Sequence, residues 1–408
     1  MTGYQSRYVD KVLDSVFDQL PAVLLDGPKG VGKTMTASQR VKTILSLDIP
    51  ALRATAMSDP DELLKADRPI LVDEWHLAEP IWGAVKRAVD GDYSGGQFLL
   101  TGSLPSRGTH SGAGRITSIR MRPMTLVERG VSNPSVTIES LLQGGARISG
   151  RSEFSLLDYV EEILASGFPG IRRLSGEARE LALAGYLSRI VDTDVQEAGL
   201  ELRRPELMRN WLSAYAAAIG TNASWTTIRD AAARGGDSPA RSTTVPYTET
   251  LARIRILDEV EPWSPRGTGL QRLMASAKHY LADPALGASL LGLRKESALE
   301  SDAIGGLFEN LVALSLRVFG EPSRTQLYHL RTQDGRKEID FILERPDGKV
   351  LAIEAKFGSV VNPGDIKHLD WLGQQIGDQL VDKVIINTGR TAYRTSSGVA
   401  VIPLALLG

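Results

Sequence analysis

The feature that most constrains this chain is a glycine-rich turn placed directly after a short apolar run, Val23-Leu24-Leu25. The turn reads Gly27-Pro28-Lys29-Gly30-Val31-Gly32-Lys33-Thr34-Met35 and fits the pattern G-x-x-x-x-G-K-[ST]. In this pattern the glycines let backbone N–H groups wrap a phosphate chain, the lysine contacts the β and γ oxygens, and the hydroxyl binds Mg²⁺. We therefore expect residues 27–35 to bind ATP, with Lys33 as the catalytic cation and Thr34 as the Mg²⁺ ligand. A helix is predicted from Met35 onward.

A second apolar run, Ile70-Leu71-Val72, ends in Asp73 and Glu74. Downstream of a phosphate loop, such a strand end supplies one carboxylate to the Mg²⁺ side of the site and a second acid that polarises the attacking water. We predict the first role for Asp73 and the second, that of catalytic base, for Glu74. A third apolar run ends at Thr101-Gly102-Ser103. Thr101 is predicted either to contact the γ-phosphate or the water, or to belong to a simple turn.

Composition places the chain among globular proteins with an ordinary core. It has 408 residues, of which 42% are hydrophobic and 24% charged, and this length predicts roughly two to four domains. The absence of cysteine excludes disulfides and thiolate metal sites. The N-terminus lacks the layout of a signal peptide, and no apolar stretch approaches the roughly 18 residues of a membrane span, so we expect a cytoplasmic protein without a membrane partner. Because the formal net charge is -2, DNA binding would depend on local basic patches.

Strand and helix patterns alternate in residues 1–135, which is the rhythm of a parallel sheet flanked by helices. Within this domain, helices are predicted over Arg7–Gln19 and Met35–Ser46. The Gly, Ser, Asn and Pro content of residues 130–150 predicts a linker or a loose crossover. The domains predicted after it are a helical connector over 150–200, a winged helix over 201–300 and an α/β domain over 301–408.

Five arginines face a single acid between Arg107 and Arg129. Such a stretch is typical of a solvated loop, but the glycine-rich segment Ser111-Gly112-Ala113-Gly114 leads directly into Arg115. An arginine presented in this way can reach the γ-phosphate of a neighbouring subunit. On that interpretation Arg115 is catalytic and the chain forms a homo-oligomer.

Three short helical patterns followed by two strand-like runs, Ile256–Trp263 and Lys278–Leu281, predict the winged helix. Its third helix carries Arg253 and Arg255, and winged helices often bind DNA. Winged helices also serve as protein contacts, and nearby acids balance these arginines. Both kinds of partner therefore stay open.

Two strand patterns near the C-terminus form a hairpin around the turn Pro346-Asp347-Gly348. Residues two apart in a strand share a face, so Glu354 and Lys356 project together and Asp340 of the partner strand can join them. Converging carboxylates bind a hard divalent cation such as Mg²⁺ or Mn²⁺, and an adjacent lysine can activate water for attack on phosphorus. Glu309, on a predicted helix upstream, is a candidate third oxygen ligand. The alternative is that these charges form a solvated hairpin face.

This constellation resembles the PD-(D/E)xK nuclease core, with Asp340 as the D, Glu354-Ala355-Lys356 as the E-x-K and a helix-borne Glu309. Over nearly its whole length the chain also resembles a family of prokaryotic AAA-like ATPases with a C-terminal domain of uncharacterised function. The resemblance implies an α/β fold, with a P-loop AAA-like parallel sheet and helices, then a winged helix, then an α/β PD-(D/E)xK nuclease-like domain. Trp75-His76 departs from the pair usual in that family after Asp-Glu. The motifs that carry the resemblance are Gly27–Thr34, Asp73-Glu74, Thr101–Ser103, Ala113–Arg115, Arg122–Thr125, Gly167–Pro169, Lys278–Asp283, Gly306–Asn310, Glu338–Phe341 and Glu354–Lys356.

Two functions follow from these motifs. In the first, ATP hydrolysis repositions the winged helix and controls metal-dependent DNA cleavage at Asp340, Glu354 and Lys356. In the second, the protein is an ATP-dependent switch whose nuclease-like domain holds DNA or another partner without cutting it. The intact acids and lysine favour the first function, and the near-neutral net charge favours the second.

Overall fold

The computed structural model describes residues 3–102, 112–233, 235–236, 238–264, 276–332 and 335–408. The chain divides into two compact units, and the first consists of Met1–Arg122 with Leu251–Ile256. The second consists of Pro123–Thr250 with Leu257–Gly408. This division falls earlier in the chain than the boundary at 135 that we expected. Ser103, Arg107 and Ser111, which were singled out above, lie outside the described residues.

The first unit is built on five strands, all of which pair in parallel. The strands are Ala22–Asp26 (β1), Thr43–Ser46 (β2), Ile70–Asp73 (β3), Phe98–Gly102 (β4) and Ile116–Arg120 (β5). The helices are Tyr8–Val16 (α1), Lys33–Ala37 (α2), Pro50–Ser58 (α3), Pro60–Leu63 (α4) and Pro80–Gly91 (α5). The strand order is β2-β3-β4-β1-β5, so the predicted parallel sheet is confirmed.

The three central strands of this sheet are buried along their whole length. Their apolar side chains pack against α5, whose buried face includes Ile81, Val85 and Val89. Because parallel strands end at the same edge, the carboxyl ends of β1, β3 and β4 bring Asp26, Asp73 and the Thr101 end of β4 to one side of the sheet.

The helix predicted over Met35–Ser46 is wrong in its second half. Helix α2 ends at Ala37, a 3₁₀ turn covers Ser38–Arg40, and the chain then enters β2, which pairs with β3. Thr43 and Ile44 are β-branched, which favours a strand once a neighbouring edge is available for pairing.

The second unit contains helices before and beside a larger sheet. Its helices are Ile138–Gln143 (α6), Leu156–Ala165 (α7), Pro169–Arg172 (α8), Gly176–Arg189 (α9), Val195–Glu197 (α10), Pro205–Ala217 (α11), Trp225–Ala231 (α12), Arg241–Arg253 (α13, whose last residues belong to the first unit), Pro284–Leu290 (α14), Lys295–Ala298 (α15), Ala303–Gly320 (α16) and Pro363–Ile376 (α17). Its strands are Gly150–Arg151 (β6), Glu261–Pro262 (β7), Gln326–Arg331 (β8), Glu338–Glu344 (β9), Val350–Lys356 (β10), Leu380–Asn387 (β11), Thr391–Arg394 (β12) and Ala400–Pro403 (β13).

These eight strands are arranged in the order β6-β12-β13-β11-β10-β9-β8-β7. The predicted hairpin is present, because β9 and β10 pair antiparallel. Leu369 and Leu372 of α17 pack on one face of the sheet beside Ile342. Helix α16 contacts β8, β9 and β10, and by strand alternation the neighbouring residue Leu343 points to the face opposite Ile342. The predicted hairpin and the predicted helix upstream of it are therefore both observed, and α17 and β11 follow them.

Residues 130–150, for which a linker or loose crossover is predicted, contain a short helix and belong to the second unit. Helix α6 begins after Thr137, whose side chain accepts a hydrogen bond from the Ser140 backbone, and it buries Ile138 and Leu141. Val136 pairs with Leu407. The apolar residues that anchor this segment are few and are separated by small polar residues, so the average composition of residues 130–150 does not reveal them.

The region predicted as a winged helix contains α11, α12 and α13, followed by two antiparallel bridges. The bridges join Leu257 to Leu281 and Val260 to Lys278. The winged-helix assignment itself stays a prediction.

One described helix, α16 with the turn that follows it to Ser323, is long and apolar enough to cross a membrane by length and composition. Most of that stretch is buried inside the protein, and this is the position of a core helix.

Candidate functional site

The predicted phosphate loop follows β1 and leads into α2. Gly30 and Gly32 have φ angles of 75° and 105°, which glycine adopts without strain. Gly27 is required for a different reason, because a Cβ there would lie 2.2 Å from the carbonyl oxygen of Met121. Each glycine of the motif therefore meets a backbone requirement of the loop.

Lys33 is buried inside this loop. Its Nζ donates hydrogen bonds to the carbonyl oxygens of Gly27, at 2.8 Å, and Pro28, at 2.9 Å. Burial lowers the pKa of Lys33 to about 8, and nearby acids, led by Glu74, oppose that shift. The ammonium is thus held by neutral acceptors that the charged oxygens of a phosphate chain can replace.

Thr34, Asp73 and Thr101 come from three elements and meet at one oxygen. The Thr34 hydroxyl donates to Asp73 Oδ1 at 2.7 Å, and the Thr101 hydroxyl donates to the same oxygen. Mg²⁺ in nucleotide sites is bound by a few protein oxygens together with phosphate oxygens, so this hydroxyl and carboxylate pair fits it. The structure brings together the side chains for which we predicted the metal and sensor positions.

Glu74 lies at the end of β3 in a left-handed backbone conformation, with φ of 54°. Its Oε2 is 3.3 Å from Nδ1 of His76, and the side chain is about one-third exposed. Trp75 is buried and its ring lies 4.6 Å from that of Trp82. Of the two residues that differ from the pair usual in the family, Trp75 thus lies in the core and His76 lies beside the predicted base.

Arg7, the N-cap residue of α1, supports the loop, and no motif in the sequence indicates this role. It is buried, its Nη1 donates to the carbonyl oxygen of Val31 at 3.1 Å, and its Nη2 donates to that of Arg122 at 2.6 Å. A guanidinium in this position fixes the phosphate loop against the end of β5.

Arg255 also reaches the loop region. Its Nε donates to Asp26 Oδ2 at 2.7 Å, immediately before Gly27, and its backbone has φ of 67°. The sequence places Arg255 on the third helix of the predicted winged helix, whereas in the structure it follows α13 and its guanidinium is paired with the last residue of β1. No pattern in the sequence links two residues so far apart in the chain.

Arg115 lies far from the loop of its own subunit. Its guanidinium pairs with Asp90 at 2.6 Å, and both side chains are exposed. It precedes β5, and β5 runs parallel to β1 with Ile116 opposite Ala22, so Arg115 is at the edge of the sheet opposite the phosphate loop. A catalytic role for Arg115 therefore requires a second subunit and stays a prediction.

The second group of predicted site residues surrounds a lysine that we had not assigned to it. Lys278 is buried, and its Nζ donates to Glu309 Oε1 at 2.6 Å and to Asp340 Oδ1 at 2.7 Å. Glu338 Oε1 is 3.5 Å from the same nitrogen. We call Glu309, Glu338, Asp340 and Glu354 the acidic cluster.

The charged groups in and beside the acidic cluster shift one another's pKa values. Burial, followed by the charge of Asp340, raises the pKa of Glu309 to about 7 and raises the pKa of Glu354 well above its usual value. Burial acts in the same direction on Asp340, but the charge of Lys278, together with the hydrogen bonds from Lys278, the Ala355 backbone and Glu354, outweighs it and holds the pKa of Asp340 below its usual value. Asp340 is therefore the carboxylate that Lys278 chiefly stabilises.

Lys356, the lysine of the E-x-K motif, has a different partner. Its Nζ donates to Asp365 Oδ1 at 2.6 Å, in the first turn of α17. The structure thus brings Glu309, Asp340 and Glu354 together as predicted, but the ammonium closest to them comes from Lys278.

Across the ranges that the structure describes, no three His, Cys, Asp or Glu residues are arranged to hold a metal ion. In the acidic cluster, the cation between the oxygens of Glu309 and Asp340 is an ammonium group. With Lys278 in this position the cluster does not fit a divalent metal, and the metal roles predicted for Glu309, Asp340 and Glu354 remain predictions.

Comparisons with known proteins agree with the first unit's geometry. Residues 19–129 match the family model of an AAA domain. Residues 156–297 and 304–407 match two domains of unknown function, DUF8612 and DUF4143 respectively. No curated protein matches the chain.

Among solved structures, the chain is similar to the Walker-type ATPase PABY2304 of Pyrococcus abyssi, with 15% identity and a TM-score of 0.41. The similarity covers 70% of this chain and 96% of that one. The match of residues 19–129 to the AAA domain model agrees with the loop geometry and the strand order, and two regions that match domains of unknown function follow it.

Proposed function

We propose that this protein binds and hydrolyses ATP and acts as a nucleotide-dependent switch whose second unit does not cut DNA. The observation that carries the ATP part is the meeting of Thr34, Asp73 and Thr101 at one oxygen, beside the loop that holds Lys33. A lysine, two hydroxyls and a carboxylate at the end of a glycine-rich loop match the requirements of phosphoryl transfer to water.

Each side chain has a separate task in this proposal. Lys33 exchanges its bonds to loop carbonyls for bonds to the β and γ phosphate oxygens, which neutralises charge as the terminal bond breaks. Mg²⁺, when bound by Thr34 and Asp73, supplies further charge neutralisation. Glu74 orients the attacking water and accepts its proton. Thr101 holds the Asp73 carboxylate in position through its hydroxyl.

The test is ATP binding and hydrolysis by wild type and Lys33→Ala. Because the Lys33 ammonium lies inside the loop, where phosphate oxygens can replace its carbonyl partners, we expect the variant to lose nucleotide binding. Lys29→Ala, a change in the same loop at a residue whose type the motif leaves open, is the matched control and should bind ATP. Nanomolar to micromolar ATP affinity in Lys33→Ala would contradict the assignment.

The alternative function is ATP-controlled, metal-dependent DNA cleavage by the second unit. One observation favours it, namely that Asp340 accepts a hydrogen bond from the Ala355 backbone and lies beside Glu354 and Glu309, as the nuclease-like motif requires. The contacts of Lys278 weigh against it, since that ammonium takes the place between the acids.

A cleavage assay separates the two functions. Wild type and Lys356→Ala would be incubated with duplex, single-stranded and branched DNA, with Mg²⁺ or Mn²⁺ and with or without ATP. Cleavage by wild type that Lys356→Ala loses would establish the nuclease. Intact ATP hydrolysis without cleavage is the result we expect.

The partners of this switch are also proposals. DNA contact through the predicted winged helix and assembly into a homo-oligomer both follow from the motifs described above. Binding of labelled DNA in the presence of ATP or ADP tests the first, and the particle mass in solution tests the second.

A further inference from the structure

The acidic cluster of the second unit already contains a fixed cation. Lys278 is 1% exposed, and its ammonium is within hydrogen-bonding distance of Glu309 and Asp340. Glu338 lies at 3.5 Å. An ammonium carries three donors, and two of them are used by the hydrogen bonds to Glu309 and Asp340, with Glu338 as a further ion-pair partner.

The backbone of Lys278 is fixed as well. Its N–H donates to the carbonyl oxygen of Val260 at 2.9 Å, and its carbonyl oxygen accepts from the Val260 N–H at 3.0 Å. A lysine on a bridged strand segment can withdraw its ammonium only by rotating its side chain within a buried space. A buried ammonium without a partner is strongly unfavourable, so Lys278 stays with the acids.

The acids have further donors that hold them in place around Lys278. The Tyr280 hydroxyl donates to Glu309 Oε1, the oxygen that also accepts from Lys278. The second oxygen of Asp340 accepts from the Ala355 N–H at 2.9 Å. Both oxygens of Asp340 are therefore used by protein donors.

A divalent ion and this ammonium exclude one another. Mg²⁺ and Ca²⁺ require oxygens at about 2.0–2.6 Å, and the oxygens that point inward from Glu309 and Asp340 are those that hold Lys278. An ion bound to them would lie within a few ångströms of the ammonium, and like charges repel strongly in a buried setting.

We infer that Lys278 serves as the permanent cation of the acidic cluster and that the second unit consequently binds no divalent metal at Glu309, Asp340 and Glu354. The lysine takes over the charge neutralisation that a metal provides in a nuclease. It also joins the bridge at Val260 to α16 and β9, which are distant in sequence. This inference concerns the second unit alone and goes beyond the ATP site.

The test is Mn²⁺ binding to the full-length, nucleotide-free protein, measured by electron paramagnetic resonance of free Mn²⁺. Wild type and Asp340→Asn should bind the same number of ions, because the wild-type cluster binds none. If wild type binds one ion more than Asp340→Asn, the inference is overturned.

A second variant tests the cause. Lys278→Ala removes the ammonium and should gain one Mn²⁺ per chain, a gain that the added change Asp340→Asn abolishes. Lys383→Ala removes a lysine that pairs with Asp370 at 2.7 Å outside the cluster, and it should gain none. A folded Lys278→Ala protein that gains no ion would contradict the inference.

If Lys278→Ala does not fold on its own, the unfolding temperature replaces the ion count. Rescue of that variant by Mn²⁺, with no Mn²⁺ effect on the wild-type unfolding temperature, supports the inference. A rise in the wild-type unfolding temperature with Mn²⁺ that Asp340→Asn abolishes overturns it. Because no ATP is present, failure of the ATP proposal would leave these outcomes unchanged.

Discussion

Glu74 is an acid that follows β3 and has a left-handed backbone conformation. Both features determine where its side chain lies. The backbone turn at φ of 54° lets Trp75 enter the core while Glu74 remains partly exposed beside His76. Among the nearby acids, Glu74 has the largest effect in opposing the lowered pKa of Lys33, so the two side chains interact electrostatically. Hydrolysis requires a base that has access to water and lies near the lysine that binds the phosphates.

Glu74→Gln should separate ATP binding from hydrolysis. Glutamine keeps the size of the side chain but cannot accept a proton, so we expect ATP affinity to be retained and the rate of phosphate release to fall by about 10²–10⁴-fold. Calorimetry and a steady-state phosphate assay measure the two quantities. Glu79→Gln, an exposed acid shortly after β3, is the control and should change neither. Hydrolysis at the wild-type rate in Glu74→Gln would contradict the role of base.

His329 should make the second unit less stable in acid. Burial lowers its pKa to about 4 from 6.5, helped by the positive charge of Lys278. The folded protein therefore favours neutral His329, so its contribution is present above pH 6.5 and is lost as the pH falls towards 4. The shift corresponds to about 3 kcal/mol.

The measurement for His329 is the unfolding temperature of wild type and His329→Gln between pH 4 and pH 7. The difference in unfolding temperature between the two proteins should narrow as the pH falls. Only in wild type does unfolding release a buried neutral imidazole that then takes up a proton. A gap that stays constant over this range would show that His329 does not titrate as described.

At the scale of elements, α16 contains two adjacent glycines in different surroundings. A Cβ on Gly306 would lie 2.6 Å from the carbonyl oxygen of Ile219, whereas a Cβ on Gly305 would meet no atom within 4 Å. Gly306 therefore allows the chain after α11 to approach α16 closely, and Gly305 does not take part in that contact.

Gly306→Ala should destabilise the second unit and Gly305→Ala should not. Overpacking typically costs about 1–3 kcal/mol, whereas alanine in place of glycine in a helix contributes up to about 1 kcal/mol of stability. Thermal unfolding of the two variants provides the measurement, with Gly305→Ala as the matched control for the change in helix propensity. Equal unfolding temperatures would mean that the backbone at Ile219 moves away without loss.

Elements with a strong local pattern were predicted well, and those that depend on pairing were not. The buried strands β1 and β3 and the hairpin β9–β10 stand out in sequence because several apolar residues occur together between turns. Strand β2 is an edge strand with mixed exposure, and its assignment depends on β3. Pairing with a distant strand has no local signature, so a helix was predicted there instead.

At the scale of the whole molecule, the two candidate sites differ in how far the sequence could describe them. The meeting of Thr34, Asp73 and Thr101 beside the phosphate loop could be predicted, because the loop's backbone requirements are local and the strand ends share one edge of a parallel sheet. The contacts of Arg7 and Arg255 with the loop region could not be predicted. The acidic cluster could be predicted only as a set of acids. Lys278 approaches Glu309 and Asp340 from a separate segment, and the E-x-K lysine, Lys356, pairs with Asp365 instead. Which lysine neutralises buried acids is decided by tertiary packing.

The geometry of the first sheet provides a test of the predicted assembly into a homo-oligomer. Arg115 precedes β5, and the parallel register with β1 places it five residues, about 16 Å, along the strand from the edge that carries the phosphate loop. It can therefore stabilise a γ-phosphate only on another subunit. Arg115→Ala alone should reduce ATP hydrolysis by about 10³-fold or more, the range reported for such arginines. Arg87→Ala, which removes an exposed arginine paired with Asp61, should not.

Mixing two inactive variants tests the action of Arg115 across subunits. A subunit with Lys33→Ala cannot bind ATP but still presents Arg115, and a subunit with Arg115→Ala keeps an intact ATP site. Because one variant supplies what the other lacks, mixed oligomers should recover part of the wild-type rate of phosphate release. The same total concentration of either variant alone should remain inactive. No recovery after subunit exchange, or full activity of Arg115→Ala as a monomer, would remove Arg115 from the mechanism and leave the ATP site complete within one chain.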